Sequence, residues 1–353
     1  MKSTFGKNLK VTISGGSHED FLSVIIDGFP DNTTFNMDEL QKFMKRRAPG
    51  NSPFATKRKE ADIPIVKSYN PLEIVIENTD KKSSDYKNTR HVPRPGHADF
   101  TAFIKYKDTI NMAGGGPFSA RMTAPLCVAG GIAIQLLEKR GIKIGAHLFS
   151  IGDIYDQPFN PITPLTSKPK DLSFPVISPK QGEKMKKCVL SAKEDLDSIG
   201  GVIEAAVTGL PQGLGGPMYD GVECSLSQIL FGIPAVKGVE FGNGFASGIM
   251  RGSQNNDSFI IEKGEVKTKT NNHGGLLGGI TTGMPLICRV AFKPTPSIGQ
   301  EQDSVDLVSM KPAKLTIKGR HDPCVVVRAI PIVEAALAIG LLDKILEEKN
   351  ELK

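Results

Sequence analysis

Residues 123–139 are apolar on almost every side of a helical projection, and this feature constrains the fold more than any other. A helix without a polar face has no side to turn toward water, so other elements must cover it. The apolar stretch within it, residues 124–137, includes two glycines and is too short to span a bilayer. The sequence therefore predicts a buried central helix and no association with a membrane.

The other predicted elements are short and are separated by glycine and proline. Residues 330–348 alternate apolar and charged side chains at helical spacing, which predicts a helix that closes the fold. Residues 150–180 carry too many prolines for a regular helix. The order of elements lacks the regular βαβ rhythm of a doubly wound sheet, so we predict an α+β fold. Length alone allows one large domain or two smaller ones. Strands are predicted at 9–13, 23–26 and 202–207, and further helices at 38–45 (capped by Asn36 or Asp38) and 180–198.

Composition excludes several classes of protein. A formal charge of +6 is too small to suggest nucleic-acid binding, although it suits a protein with anionic small-molecule ligands. Five cysteines without a CxxC pair fit neither a disulfide framework nor a structural zinc site. The first residues lack the apolar core of a signal peptide, so a cytoplasmic location is expected. Residues 242–248 differ by one residue from a dinucleotide-binding fingerprint, and no Walker motif occurs. A dinucleotide site and a P-loop nucleotide site are therefore only weakly indicated.

Three of the six histidines lie in turns with polar or charged neighbours. His18 follows a glycine turn, His97 lies in the sequence RPGHAD, and His321 lies between an arginine and an aspartate. Each one alone is most often a hydrogen-bonded turn histidine. Together with nearby arginines they indicate phosphate chemistry, because arginine binds phosphate bidentately and histidine can protonate a leaving phosphate near neutral pH. Metal binding is less favoured, since no two histidines have the spacing of a ligand pair, and no GxSxG elbow indicates a serine hydrolase.

A series of motifs resembles the chorismate synthase family from one end of the chain to the other. Their number and order make chance agreement implausible. They are GGSH (15–18), IDGFP (26–30), RRAPG (46–50), KRKEAD (57–62), RPGHADF (94–100), AGGGPFSAR (113–121), DSIGGVIE (197–204), GLPQGLGGPMYD (209–220), AVKGVEFGNGF (235–245), GGLLGGITTG (274–283), KPTPSI (293–298) and GRHDPCVVVRAIP (319–331).

The resemblance implies a single domain over residues 1–353, built as a β-α-β sandwich in which two antiparallel sheets enclose central helices. It also implies a homotetramer. It implies a lyase of the shikimate pathway of aromatic amino acid biosynthesis, which eliminates phosphate and a proton (1,4-anti) from 5-enolpyruvylshikimate 3-phosphate. The implied cofactor is reduced FMN, which donates an electron transiently without net redox change. NADPH is the implied reductant, used directly or through a separate reductase.

Residue roles follow only from this resemblance. His18 resembles the proton donor to the departing phosphate, His97 the histidine beside flavin N1, and Asp322 the carboxylate near flavin N5. Arginines 47, 94, 121 and 320 match those that bind the substrate's carboxylates and phosphate. The remaining positions match flavin contacts: Ser119, Pro234, Ala235, Gly278, Lys293, Thr295, Ser297 and, again, Arg320.

The sequence departs from the family pattern mainly at ligand positions. Gly16 replaces a glutamate and Glu19 a glycine, so that GESHG becomes GGSHE. Pro53 replaces an arginine of the family pattern, and residues 117–118 replace an arginine and the serine that follows it. Residues 108–113 stand where the family has a basic run, and Pro234 replaces an asparagine. Two hypotheses remain open: a working but divergent enzyme, and a paralogue that binds anionic small molecules with lost or altered activity. Nothing in the composition favours a purely structural protein.

Overall fold

The structure is a computed structural model. It describes residues 2–30, 33–48, 54, 60–79, 91–107, 109–167, 169, 173–317 and 322–351. Pro53, Asp108, Arg320 and His321 lie outside the described residues, so the predictions made for them are not addressed by the structure.

The N-terminal part of the described chain forms an antiparallel sheet. Short alternating apolar runs between glycine turns, as at residues 9–13 and 23–26, account for these strands. The strands are β1 (Lys2–Phe5), β2 (Lys10–Ser14), β3 (Phe21–Asp27), β4 (Ile65–Tyr69) and β5 (Leu72–Glu77). They pair in the order β1–β2–β3–β5–β4, so both predicted strands of this region are confirmed.

A second antiparallel sheet is built from the C-terminal two-thirds of the chain. Its strands are β6 (Lys143–Ile151), β7 (Ile154–Tyr155), β8 (Gly201–Thr208), β10 (Val236–Phe241) and β15 (Leu286–Phe292), in the order β10–β15–β8–β6–β7. The smaller pairings join β9 (Gln212–Gly215) with β13 (Leu276–Leu277) and β14 (Ile280–Thr282), β11 (Phe259–Glu262) with β12 (Glu265–Thr268), and β16 (Gln302–Asp306) with β17 (Lys311–Leu315).

The helices are α1 (Met37–Arg47), α2 (Asp99–Tyr106), α3 (Thr123–Glu138), α4 (Pro179–Glu194), α5 (Val222–Phe231), α6 (Gly252–Asn255) and α7 (Val326–Glu351). α3 packs on β2, β3 and β5 of the first sheet, α7 packs on β6 and β8 of the second, and α3 contacts α7. Two antiparallel sheets thus enclose central helices, which confirms the predicted α+β sandwich. One hydrophobic cluster contains residues from Leu9 to Leu346.

Local sequence signals predicted several helices correctly. Asn36 caps α1, because its side-chain oxygen accepts the N–H groups of Asp38 (2.8 Å) and Glu39 (3.2 Å). α4 ends at Glu194, short of the predicted Ser198. The segment Ala120–Glu138 is long and apolar enough to cross a membrane by length and composition alone, but 67% of it is buried here. Its place between the sheets accounts for that apolarity.

The predicted C-terminal helix is present as α7, and it is buried rather than amphipathic. α7 is buried on nearly all sides from Val326 to Lys344, and its charged residues have partners inside the protein. Glu334 accepts a bidentate pair from Arg46 (2.6 and 3.0 Å). Asp343 accepts backbone N–H groups of residues 7, 8 and 9, at 2.7 to 3.1 Å. A buried charge is tolerated where it is paired and hydrogen-bonded, so charged spacing alone did not indicate a solvent face.

The proline-rich segment is attached to the second sheet through buried charges. Asp156 accepts the backbone N–H groups of Ile177 (2.5 Å) and Ser178 (2.9 Å). His147, on β6, lies between Asp156 (Nδ1 to Oδ2, 3.2 Å) and Glu204 (Nε2 to Oε2, 3.0 Å). Burial by itself lowers the pKa of His147, but the two carboxylates outweigh it and raise that pKa above its usual value.

Candidate functional site

A cavity of about 350 Å³ lies where loops from both sheets meet the beginnings of α3 and α7. Most of the predicted site residues line it: Arg47, Arg94, His97, Ser119, Arg121, Pro234, Ala235, Lys293, Thr295, Ser297 and Asp322. They come from segments far apart in the sequence, and the fold brings them to one place. The volume is at the lower end of the range typical of small-molecule sites.

The turn of residues 94–99 forms a compact charged unit on one wall. Asp99 accepts Arg94 Nε at 2.6 Å and Arg94 Nη2 at 2.8 Å, and His97 Nδ1 lies 2.8 Å from Asp99 Oδ1. Burial raises the pKa of the Asp99 carboxyl, but the hydrogen bonds from Arg94 and His97 hold it well below its usual value. Asp99 Oδ1 (2.8 Å) and Arg94 Nη2 (3.2 Å) both lie beside His97 Nδ1, which leaves Nε2 on the opposite side of the ring, where Gly115 passes.

Arg47 and Arg121 share a buried carboxylate, Asp62. Arg47 donates to Asp62 through Nε (3.0 Å) and Nη2, and Arg121 donates through Nη1. Burial raises the pKa of Asp62, but both arginines outweigh it and lower that pKa. Asp62 takes a left-handed φ of 50°, which is uncommon for a residue with a side chain and is held here by the two ion pairs.

His18 lies against the cavity wall rather than among the residues that line it. Its Nδ1 is 3.0 Å from the carbonyl oxygen of Ala113. A β-carbon on Gly114, which does line the cavity, would lie 2.1 Å from His18 Cε1, so glycine is required there for the ring to fit. Gly114 also has a φ of 61°, which glycine adopts without strain.

Residues 293–297 form the part of the cavity wall that carries three of the predicted flavin contacts, one cation and two hydroxyls. Lys293 donates through Nζ to the Gly96 carbonyl, and burial together with the charge of Lys237 lowers its pKa. Arg94 Nη1 donates to Ser297 Oγ at 3.1 Å, which joins this wall to the charged turn of residues 94–99. Thr295 lies between Lys293 and Ser297 in the chain and lines the same cavity.

Asp322 faces the cavity from the chain that leads into α7. Arg328, one turn into α7, donates to both its oxygens through Nη1 (3.1 and 2.8 Å) and donates through Nε to the Arg47 carbonyl (3.1 Å). We did not predict Arg328, Glu60 or Asp62 as site residues. Their signal was present, because KRKEAD and GRHDPCVVVRAIP contain them, but a motif match does not show which of its members face a cavity.

Besides His18, one described position of the prediction is not among the cavity residues. Gly278 lies in the turn between β13 and β14 with a φ of 60°, and its predicted flavin contact stays a prediction. Arg320 lies outside the described residues. Within the part of the chain that the structure describes, no group of histidine, cysteine or acidic residues could hold a metal ion.

One departure from the family pattern has a structural explanation. A β-carbon on Gly16 would lie 3.1 Å from Glu19 Oε1, so the Glu19 side chain occupies the space beside residue 16. The exchange of GESHG for GGSHE therefore moves a glutamate along the chain while it keeps a carboxylate in the same neighbourhood. Phe118 and Pro234 place apolar surface in the cavity wall, where the family pattern has polar side chains.

The arrangement can bind a multiply charged anion and supply protons to it. Among the described residues, five cations line the cavity: Arg47, Arg94, Arg121, Lys293 and Arg328. The imidazole of His97 lies in the wall, and that of His18 lies behind Gly114. The arginines are oriented by internal carboxylates, which reduces the entropy lost when a ligand binds.

Comparison with known proteins agrees with these observations. A family model described as chorismate synthase matches residues 9–346. A chorismate synthase of Lancefieldella parvula is 41% identical over 376 residues, covering 99% of this chain and 98% of its own. One of Thermococcus kodakarensis is 42% identical over 356 residues, with 98% of each chain covered. A crystal structure of a chorismate synthase superimposes with a TM-score of 0.73 at 26% identity, covering 97% of this chain and 93% of that one.

Proposed function

The chain belongs to the chorismate synthase family, and we propose that it catalyses the 1,4-anti elimination of phosphate from 5-enolpyruvylshikimate 3-phosphate to give chorismate. The observation that carries the proposal is the convergence of three predicted arginines, 47, 94 and 121, with His97 and Asp322 on one cavity. In this reaction the allylic carbon–oxygen bond to phosphate breaks and a ring proton leaves, so oxidation state is unchanged overall.

The cations match the charges of this substrate, which has two carboxylates and a phosphate. Arg47 and Arg121 would bind one anionic group together, because Asp62 holds both guanidinium groups in place. Arg94, which lines the same cavity, would bind another. Arg320 remains a proposed contact on the resemblance alone.

Proton transfer is assigned to two histidines. His18 would protonate the departing phosphate, since its ring lies directly behind Gly114 of the cavity wall. The contact of Nδ1 with the Ala113 carbonyl requires a proton on Nδ1, so transfer would occur at Nε2. His97 Nε2, on the far side of the ring from Asp99, would hold or release a proton at a bound cofactor. Asp322 would accept the ring proton of the substrate.

The residues present fit reduced FMN as the cofactor. Lys293 supplies a cation for a phosphate, Ser119, Thr295 and Ser297 supply hydroxyls, and Pro234, Ala235 and Phe118 supply apolar surface for a flat ring. When bound, reduced FMN would supply transient electron donation to the substrate. The protein would orient the two ligands and exclude water. NADPH is the proposed source of reducing equivalents, directly or through a separate reductase.

The direct test measures chorismate formed from the substrate with FMN under anaerobic reducing conditions. We expect turnover only with reduced flavin, and no net consumption of reductant per chorismate formed. Turnover with oxidised flavin, or without flavin, would contradict the proposal.

Two further properties are proposed from the family resemblance. We expect a cytoplasmic homotetramer, and light scattering at micromolar concentration would contradict this if it showed only a single-chain species. The alternative of a diverged binding protein is not favoured, because curated chorismate synthases are about 40% identical over nearly the whole chain.

A further inference from the structure

Asn78 follows the last residue of β5, and strand register places it beside the turn that carries His18. In the antiparallel pair of β3 and β5, Phe21 lies opposite Glu77, so Asn78 comes opposite Asp20. The Asn78 N–H donates to the Asp20 carbonyl at 3.0 Å. This contact puts the Asn78 side chain against the turn between β2 and β3, where only 5% of the residue is exposed.

Both ends of the Asn78 amide are used, and they hold different parts of the site. Nδ2 donates to the carbonyls of Gly16 (3.2 Å) and Glu19 (2.8 Å), which lie on either side of His18 in the chain. Oδ1 accepts Arg121 Nε at 2.8 Å. Because carbonyls only accept and a guanidinium only donates, these partners determine which end of the amide is oxygen.

The connection extends beyond Arg121. Arg121 donates to Asp62, and Asp62 binds Arg47, so the turn, the amide and both arginines form one buried chain of contacts. On the other side of the turn, Ser17 N–H donates to the Gly116 carbonyl at 3.2 Å. The Asn78 amide therefore links the turn that carries His18 to both guanidinium groups.

We propose that Asn78 is a positioning residue that sets the distance between His18 and the Arg47–Arg121 pair. This inference rests on the proposed function, in which His18 protonates a phosphate that the arginines hold. Asn78 itself does not line the cavity and takes no part in bond making or breaking. Its contribution is geometric, since the proton donor and the anion-binding groups must meet the same ligand.

Replacing Asn78 with aspartate removes the side-chain contacts to the turn while it keeps the contact to Arg121. Asn78→Asp keeps the size of the side chain and an acceptor for Arg121, but it loses both donors and places a carboxylate against two carbonyl oxygens. The turn should move while the arginines stay in place. Displacement of a catalytic group by about 1 Å costs on the order of 100-fold in rate.

The experiment is a double-mutant cycle in the anaerobic chorismate assay, with wild type, Asn78→Asp, His18→Ala and the double variant. We expect Asn78→Asp to lower kcat by about 10- to 100-fold, with KM changed by less than about threefold. In the His18→Ala background the same substitution should lower kcat by less than about threefold. An equal loss in both backgrounds, or a change in KM alone, would overturn the inference.

Asn271 offers a matched control. It is also 5% exposed, donates through Nδ2 to two carbonyls (Pro161, 2.9 Å; Pro285, 2.8 Å) and accepts a backbone N–H (Gly275, 2.7 Å). It is not among the cavity residues. Asn271→Asp should therefore lower the melting temperature about as much as Asn78→Asp while kcat stays near the wild-type value, and an equal loss of kcat would contradict a specific role for Asn78.

A readout independent of activity separates this inference from the proposed function. Hydrogen–deuterium exchange of the peptide spanning residues 15–20 should be faster in Asn78→Asp than in wild type and unchanged in Asn271→Asp. If wild type forms no chorismate, the proposed function fails and exchange alone decides whether Asn78 holds the turn. Unchanged exchange in Asn78→Asp would overturn the inference. Asn78→Ser, whose hydroxyl is too short to reach both carbonyls, replaces the aspartate variant if that variant does not fold.

Discussion

A β-carbon placed on Gly130 of α3 would lie 2.2 Å from the β-carbon of Ala335 on α7. The two central helices are in backbone contact at this point, and Gly130 is the residue that allows it. The close approach matters for the site, because α3 follows Arg121 and α7 follows Asp322 in the chain. The spacing of the two helices thus influences the positions of groups on both sides of the cavity.

Gly130→Ala should destabilise the protein. Alanine usually stabilises a helix interior by about 0.5–1 kcal/mol over glycine, but here overpacking should cost about 1–3 kcal/mol or more. Gly248, which has open space around its β-carbon position, is the control, and Gly248→Ala should change stability by less than about 1 kcal/mol. Denaturant unfolding of both variants checks this, and a stabilised Gly130→Ala would show that the helices can separate without cost.

The Gly16 and Glu19 exchange predicts a non-additive pair of substitutions. Gly16→Glu alone should lower activity and stability, because its β-carbon would lie 3.1 Å from Glu19 Oε1, closer than van der Waals contact, and the two carboxylates would repel each other. Adding Glu19→Gly should restore much of both, since it recreates the family's GESHG sequence. Melting temperatures and kcat of the two single variants and the double variant measure the coupling. Additive losses would mean that the two positions do not share this space.

His18→Ala and His97→Ala should each lower kcat by about 10²- to 10⁴-fold, the usual loss for a positioned proton donor or acceptor. Both residues lie in turns, so the fold should survive, as a circular dichroism spectrum and a melting temperature near wild type would show. For His97 the neighbouring Asp99 provides a further check, because Asp99→Asn should also lower kcat through loss of the Nδ1 contact. Full activity after either histidine substitution would contradict the role proposed for that residue.

The raised pKa of His147 predicts that its contribution to the stability of the fold is lost as the pH rises. Its pKa is raised in the folded protein, so its contribution is fully present below the unfolded value of about 6.5 and is lost as pH rises through the folded value. The melting temperature of wild type should therefore exceed that of His147→Gln by more at about pH 6 than at about pH 9. An equal difference at both pH values would mean that His147 is not charged between Asp156 and Glu204.

Local sequence patterns determined the elements whose environment is set by their own residues. The apolar segment 123–139 had to be buried whatever surrounded it, and Asn36 could cap α1 without any distant partner. The motif residues of the cavity were also recognisable, because turns such as RPGHAD combine charge and stiffness within a few positions. These features depend on contacts within one segment, and a linear sequence displays such contacts directly.

Only the tertiary structure showed which charged side chains are buried and what they are paired with. Glu334 and Asp343 are charged residues within α7, yet each is buried and paired with groups contributed by α1 or by residues 7–9. Asp62, Asn78 and Arg328 were not predicted as site residues for the same reason, since each acts through a residue distant in the chain. A charged or polar side chain is buried only where a partner group is removed from water together with it. The spacing of residues along one segment does not reveal that partner.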